Sequence, residues 1–206
     1  MKRYLLLLLV CLSVVSLSAQ TLNEAQIRQR VNQAAAAMKT MQCDFVQTKH
    51  LKMLNDVMVA QGKMYYQQNS KLRWEYTNPY AYTFVLNGDK VLLKNRQRND
   101  VIDVNQNKMF REIAGIMMSS VVGNCLSDDK TFKTTIATAN GEWIATLVPK
   151  RKDMRQMFQK IVLHFNQQRA VVSCVEMVEK NGDKTVINLK NIRTNETINA
   201  AVFAVR

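Results

Sequence analysis

The sequence predicts an α+β fold built on one antiparallel sheet, and three observations predict it. Apolar and polar residues alternate over many short runs, the two-residue period of a half-buried strand. Three Asn-Gly pairs, beginning at Asn87, Asn140 and Asn181, punctuate those runs as hairpin turns. Two segments, residues 22–41 and 109–122, take helical spacing instead, and they do not alternate with the strands in a βαβ rhythm.

Residues 1–19 read as a secretory signal peptide: a basic start at Lys2 and Arg3, an apolar run from Tyr4 to Leu17, and small residues before a cut ahead of Gln20. Cys11 sits inside the apolar run without the small neighbour of a lipoprotein signal, so no lipid anchor is expected. Residues 20–206 form the second unit, a single domain of about 187 residues, enough for a core of its own.

Residues 22–41 predict an amphipathic helix, with Asn23 as N-cap and Gln26 closing a capping box. Ala25, Ile27, Val31, Ala34, Ala35 and Met38 make its apolar stripe. That stripe suits either an ordinary packed helix or a lid over a sheet cavity. Strands follow at 41–49 and 52–64, with Gly62 placed for a bulge. Residues 62–93 then read as a meander. Leu72, Trp74 and Tyr76 alternate with Arg73, Glu75 and Thr77, which gives one large aromatic face and one charged face. Pro79 ends that strand. Residues 82–86 and 89–94 pair across the turn at Asn87 and Gly88, and 100–104 is a further strand.

The helical period of residues 109–122 comes from Phe110, Ile113, Ala114, Met117, Met118 and Val121. Adjacent methionines suit a surface that repacks against varied apolar partners, although a core helix has the same pattern. Ser127 to Asp129 offer caps for another helical turn. Strands return at 131–137, 142–149, 158–166, 170–178 and 184–192, with a basic loop at 150–157 and a short closing segment at 198–206.

Composition excludes several classes. Hydrophobic residues make up 47% of the chain, too many for a disordered protein. The formal net charge is +13, two of it in the leader. The basic residues are scattered through strands and turns, which points to anionic lipid or an acidic partner and not to nucleic acid. Cys43, Cys125 and Cys174 remain after the leader, so at most one intramolecular disulfide can form and buried thiols are expected. No metal-ligand spacing, nucleophile motif or phosphate loop is present. Cys43 and His50 would lie about 20 Å apart on an extended strand. No catalytic residues, metal or cofactor are therefore expected, and the protein reads as a non-enzyme.

Four pieces then combine: F-x-Q at Phe45 to Gln47, G-x-hydrophobic-aromatic at Gly62 to Tyr65, L-R-W-x-Y-x-x-P at Leu72 to Pro79, and hydrophobic-x-N-G at Val85 to Gly88. Together they resemble the LolA family of periplasmic lipoprotein carriers, from about Leu22 to the end, with residues 198–203 similar to the family's closing segment. The resemblance implies a strongly curved antiparallel sheet, a half-open β-barrel, with helices forming a lid over a hydrophobic cavity that holds acyl chains. It implies acylated lipoproteins as cargo, an inner-membrane lipoprotein-releasing transporter as donor, a candidate outer-membrane receptor, a monomer, and the periplasm as location. Family members carry an Arg-Pro pair in the turn before the Trp strand, where the Arg holds the lid; here Gln68 and Asn69 stand there, so something else must hold it.

On this reading the helix contributes Val31, Ala35 and Met38 to the cavity. The strands contribute Phe45, Met64, Tyr66, Leu72, Trp74, Tyr76, Phe84 and Leu86, with Leu72 at the entrance. The second helix contributes Phe110, Ile113, Met117 and Met118. An envelope module with the same fold that senses lipids or lipoproteins is the alternative, since fold alone does not settle function. A secreted hydrolase would need a polar convergent pocket that the sequence does not advertise.

Overall fold

The computed structural model describes residues 22–106, 115, 118, 119 and 124–205. Helix α1 (Glu24–Ala37) opens the described chain. The Asn23 side chain accepts from the Gln26 backbone N–H at 2.9 Å, and the Asn23 N–H donates to the Gln26 side chain at 2.9 Å, which is the predicted capping box. Ile27, Val31 and Ala35 are its buried stripe.

The strands are β1 (Thr40–Leu51), β2 (Asp56–Gln67), β3 (Lys71–Asn78), β4 (Tyr82–Asn87), β5 (Lys90–Asn95) and β6 (Asn99–Asp103), then β7 (Phe132–Ala139), β8 (Glu142–Pro149), β9 (Phe158–Asn166), β10 (Val171–Glu179) and β11 (Lys184–Thr194). They form one sheet in the order β6-β5-β4-β3-β2-β1-β11-β10-β9-β8-β7. Every neighbouring pair is antiparallel, as the hairpin turns predict. Strands β1 and β11 meet in the middle, and β6 and β7 are the edges, so the sheet is not closed.

The turns differ in detail from their expected type. Asn140 and Gly141 both have positive φ and join Ala139 to Glu142, as a tight Asn-Gly hairpin requires. Asn87 instead ends β4 and pairs with Lys90, so Gly88 and Asp89 are the central residues. Residues 180–183 make a wider turn, with positive φ at Gly182 alone among them. The basic segment after β8 is not wholly a loop: Lys152–Met157 forms a short helix, α2, with Asp153 in its first turn, where its carboxylate accepts from the Met154 N–H. The second predicted helix, 109–122, lies outside the described residues apart from 115, 118 and 119, whose backbone is helical.

The two sheet faces are covered differently. Helix α1 packs on the inner face, over a large apolar cluster that runs from β1 to β5 and from β7 to β11. A short 3-10 segment, Ala200–Phe203, covers part of the outer face, where Phe203 packs with Val85 and Leu92. The Arg73 guanidinium and the Asn87 amide donate to the carbonyls of Val202 and Phe203 and hold that segment down.

The turns alternate between two ends of the sheet. One end carries the β1–β2, β3–β4, β5–β6 and β10–β11 turns together with α2. The opposite end carries the β2–β3, β4–β5, β7–β8 and β9–β10 turns.

Candidate functional site

Register places the predicted aromatic face. Cys43, Met64, Trp74, Phe84 and Leu93 are successive partners across β1 to β5. Met41, Tyr66, Leu72, Leu86 and Val91 form the next row. Side chains two residues apart share a face, so both rows point to the side on which α1 lies. Val31 and Ala35 join the same cluster from the helix, and Met38 from its extended C-cap, because the helix ends at Ala37 and not at residue 41. Of the predicted cavity residues, Phe45, Met64, Tyr66, Leu72, Trp74, Phe84 and Leu86 join Val31, Ala35 and Met38 in one buried cluster, with Tyr76 and Met118 half-buried against it. Phe110, Ile113 and Met117 lie outside the described residues. Leu72, expected at an entrance, is fully buried at 0% exposure, because it sits mid-row between Tyr66 and Leu86.

The aromatic centre has a defined geometry. The Phe45 and Trp74 rings stack at 4.3 Å between centroids, and Tyr76 meets Phe45 edge-on at 5.2 Å. Tyr80 and Tyr82 continue outward from Tyr76 at 5.5 and 6.3 Å. The Tyr76 hydroxyl donates to the Gln47 side chain at 2.9 Å. Burial raises the Tyr76 phenol above its usual range, opposed by the nearby Trp74 indole and by Gln47. The Trp74 indole N–H is buried and meets no acceptor in hydrogen-bond geometry among the described residues. The lining is otherwise apolar. Its Cys43 thiol is free and is pushed up to about 12 by burial first and by Asp44 second, so it stays protonated and unreactive.

Helix α1 is tied at both ends. The Gln68 side chain donates to the Ala36 carbonyl at 3.2 Å, and the Gln68 backbone donates to Lys39 at 2.9 Å. The Asn195 side chain accepts from the Lys39 N–H at 2.7 Å. Near the other end, Arg28 donates to the Leu126 carbonyl, and the Arg30 guanidinium sits 5.8 Å over the Trp143 ring. A hollow of about 700 Å³ runs along the helix's other flank, lined by Arg28, Asn32 and Ala36 among others.

The outer face holds a polar cluster that chain spacing conceals, because its members lie on neighbouring strands. His164 is the cross-strand partner of Cys174, so the structure does bring a histidine beside a cysteine. The ligand atoms of His164, Cys174 and Glu176 lie within 4.8 Å of one another. His164 Nδ1 is 3.0 Å from Glu142, and Nε2 is 3.5 Å from Glu176. Lys184 already holds Glu176 at 2.8 Å, and the Ser173 hydroxyl donates to Glu142. Burial pushes the Cys174 thiol up to about 11, with Glu176 and Glu142 adding to it. With both carboxylates engaged and this thiol protonated, the cluster reads as a polar network, anchored by the Lys184–Glu176 ion pair, that ties β8 to β11.

Residues 36–206 match the family described as "Outer membrane lipoprotein carrier protein LolA". The chain belongs to the LolA family. An outer-membrane lipoprotein carrier protein of Methylococcus capsulatus is 25% identical over 202 residues, 98% of this chain and 91% of that one. A carrier of the same description from Methylobacillus flagellatus is 27% identical over 150 residues, covering 72% and 69% of the two chains. Among solved structures, the MucA/MucB complex of Pseudomonas aeruginosa has a TM-score of 0.52 at 9% identity, covering 86% of this chain and 60% of that one; it shares the fold. In this LolA-family chain Gln68 occupies the turn where the resemblance places an Arg-Pro pair, and it bonds to α1.

Proposed function

We propose that this chain is a periplasmic carrier that shields the acyl chains of lipoproteins between α1 and the inner face of the sheet. Residues 1–19 export it, an inner-membrane releasing transporter loads it, and the outer membrane receives its cargo. The observation that carries this reading is the apolar lining, continuous from Val31, Ala35 and Met38 across Phe45, Met64, Trp74 and Phe84, in a chain of the carrier family. Burying an acyl chain is worth roughly 0.8 kcal/mol per CH₂, so a dry surface suffices and no covalent chemistry is needed. Because the lining is packed against itself, loading requires α1 to lift from the sheet as a lid. The ties at Gln68, Asn195 and Arg28 are the bonds that such a movement breaks.

The test uses the two tryptophans of the chain. In a Trp143→Phe variant, Trp74 reports alone. A triacylated lipopeptide with brominated chains should quench it, and unquenched fluorescence at saturating lipopeptide would sink the assignment. Native mass spectrometry of protein purified from the periplasm should show a co-purifying acylated species.

The MucA/MucB complex has the same fold, which supports a second reading: an envelope module that binds a lipid or misplaced lipoprotein and signals to a partner protein. Depletion separates the two. Loss of a carrier strands lipoproteins in the inner membrane, whereas loss of a sensor alters a stress response first.

A further inference from the structure

The two ends of the sheet are chemically unlike. At the tip of the β1–β2 turn, Met53 is 89% exposed and Leu54 is 72% exposed. Behind them, residues 56–60 of β2 run past the end of β3, whose pairing begins at Gln61 and Asn78. Val57 and Val59 point to one face there and Met58 to the other, yet all three are about half exposed, at 50%, 48% and 51%. This stretch of hairpin is therefore covered on neither face. Tyr80 and Met157, on neighbouring connections, are also exposed. Among the described residues the opposite end shows no comparable side chain; its turns present Asn69, Asp89, Asn140, Gln168 and Glu196.

Cations share this end of the sheet with the apolar tip. Lys52 adjoins it, Arg96 and Arg98 occupy the β5–β6 turn, Lys150 precedes α2, and Lys152 and Arg155 lie on α2. Four of the acids at this end are engaged internally. Asp183 accepts from the Lys52 backbone and from Asn181, Asp153 is held by Arg151, Asp128 accepts from the Thr131 N–H, and Glu179 is paired with Lys49. What faces outward is predominantly positive: exposed Asp56, Asp100 and Asp129 stand against Lys52, Arg96, Arg98, Lys150, Lys152 and Arg155.

We propose that this end of the molecule docks on an anionic phospholipid bilayer, with Met53 and Leu54 entering the headgroup–acyl boundary and the basic loops resting on the headgroups. Apolar side chains ringed by Lys and Arg are the composition that lies in such an interface. The projecting hairpin is about 15 Å long at strand rise, more than the depth of 5–10 Å, roughly, that interfacial segments occupy. A protein strand adding to the free edge of β2 would use the backbone of residues 56–60. It would leave the two most exposed apolar side chains, which lie in the turn beyond any ladder, without a partner. A bilayer covers both. The docking stands without the carrier reading; its purpose, delivery of cargo at a membrane, rests on it.

The test floats the mature chain with vesicles of phosphatidylcholine, with and without phosphatidylglycerol. Wild type should float with the phosphatidylglycerol vesicles and lose about tenfold in binding at high salt. The Met53→Glu, Leu54→Glu double variant should lose at least about tenfold, and Lys150→Gln with Lys152→Gln should lose binding to the anionic vesicles alone. Both sites are exposed, so thermal melting and Trp74 quenching by the brominated lipopeptide should stay at the wild-type level. Failure of wild type to float, or equal flotation of the double variant, overturns the proposal. So does a double variant that floats normally but loses a cross-linked protein partner in cells, because the surface then serves a protein. Flotation without Trp74 quenching overturns the carrier reading and leaves the docking intact.

Discussion

The Phe45 ring lies directly on the backbone of Gly62, its cross-strand partner: a β carbon at Gly62 would fall 2.5 Å from Phe45 Cζ and 1.9 Å from the Glu75 carbonyl oxygen. The absence of a side chain there lets Phe45 lie flat and stack on Trp74. It also coincides with the shift of register between β2 and β3.

Gly62→Ala should therefore be among the costlier single changes in the sheet. Overpacking costs about 1–3 kcal/mol, and melting should fall by about 2–4 °C for each kcal/mol. A second change, Phe45→Leu, removes only the ring from the clash. It should not restore the melting temperature, because the Glu75 carbonyl belongs to the backbone. Full rescue by Phe45→Leu would show that the ring alone sets the constraint.

Gln68→Ala removes the side-chain bond from the β2–β3 turn to the last turn of α1. A bond of this kind contributes about 0.5–1.5 kcal/mol, so the loss in melting temperature should be small. If α1 lifts during loading as proposed, the larger effect should be kinetic: a brominated lipopeptide should exchange faster at Trp74, because one tie on α1 is gone. Unchanged exchange would mean that α1 does not move during loading.

Asn23→Ala deletes the side-chain half of the capping box at the start of α1, the bond that Asn23 accepts from the Gln26 N–H. The expected cost is about 1 kcal/mol. Amide exchange should quicken in the first turn of α1 and stay unchanged in β9 and β10, where Leu163 and Val175 pair far from the cap.

Stability should fall in alkali. The Cys43 thiol rises from its ordinary value of 9.0 to about 12 on folding, so between those values the unfolded chain has lost a proton that the folded one keeps. Its contribution is complete below pH 9 and is lost as pH climbs toward 12, at about 1.4 kcal/mol for each pH unit. Burial raises Tyr66, Tyr76 and Tyr82 in the same sense. Urea midpoints measured on either side of pH 9 should decline with pH, and Cys43→Ala should flatten that decline without abolishing it. The thiol should resist alkylation at neutral pH until the protein is unfolded.

What could be read from the chain was local. The capping box at Asn23 and Gln26, the hairpin at Asn140 and Gly141, and the alternation that turns Leu72 and Trp74 to one face all depend on residues a few positions apart. The misplacements involve distant partners. Asn87 ends a strand instead of starting a turn, and its side chain bonds to Phe203, 116 residues away. Leu72 is buried and not at a rim because rows from four other strands flank it. The role of Gln68 depends on a carbonyl 32 residues earlier, where no spacing rule applies. The meeting of His164 with Cys174 is likewise a product of strand pairing. The exposed hairpin was hidden for another reason: Val57 and Val59 look like ordinary strand residues until β3 proves too short to cover them.

Strands β6 and β7 end the sheet without bonding to each other. Widening or narrowing the gap between them breaks no ladder hydrogen bond, so the aperture is governed by side-chain packing and by whatever fills it. A carrier built this way, on the reading proposed above, need not be cut to one guest: it would take up girth from slender and bulky acyl chains alike, as a clasp does and a ring cannot.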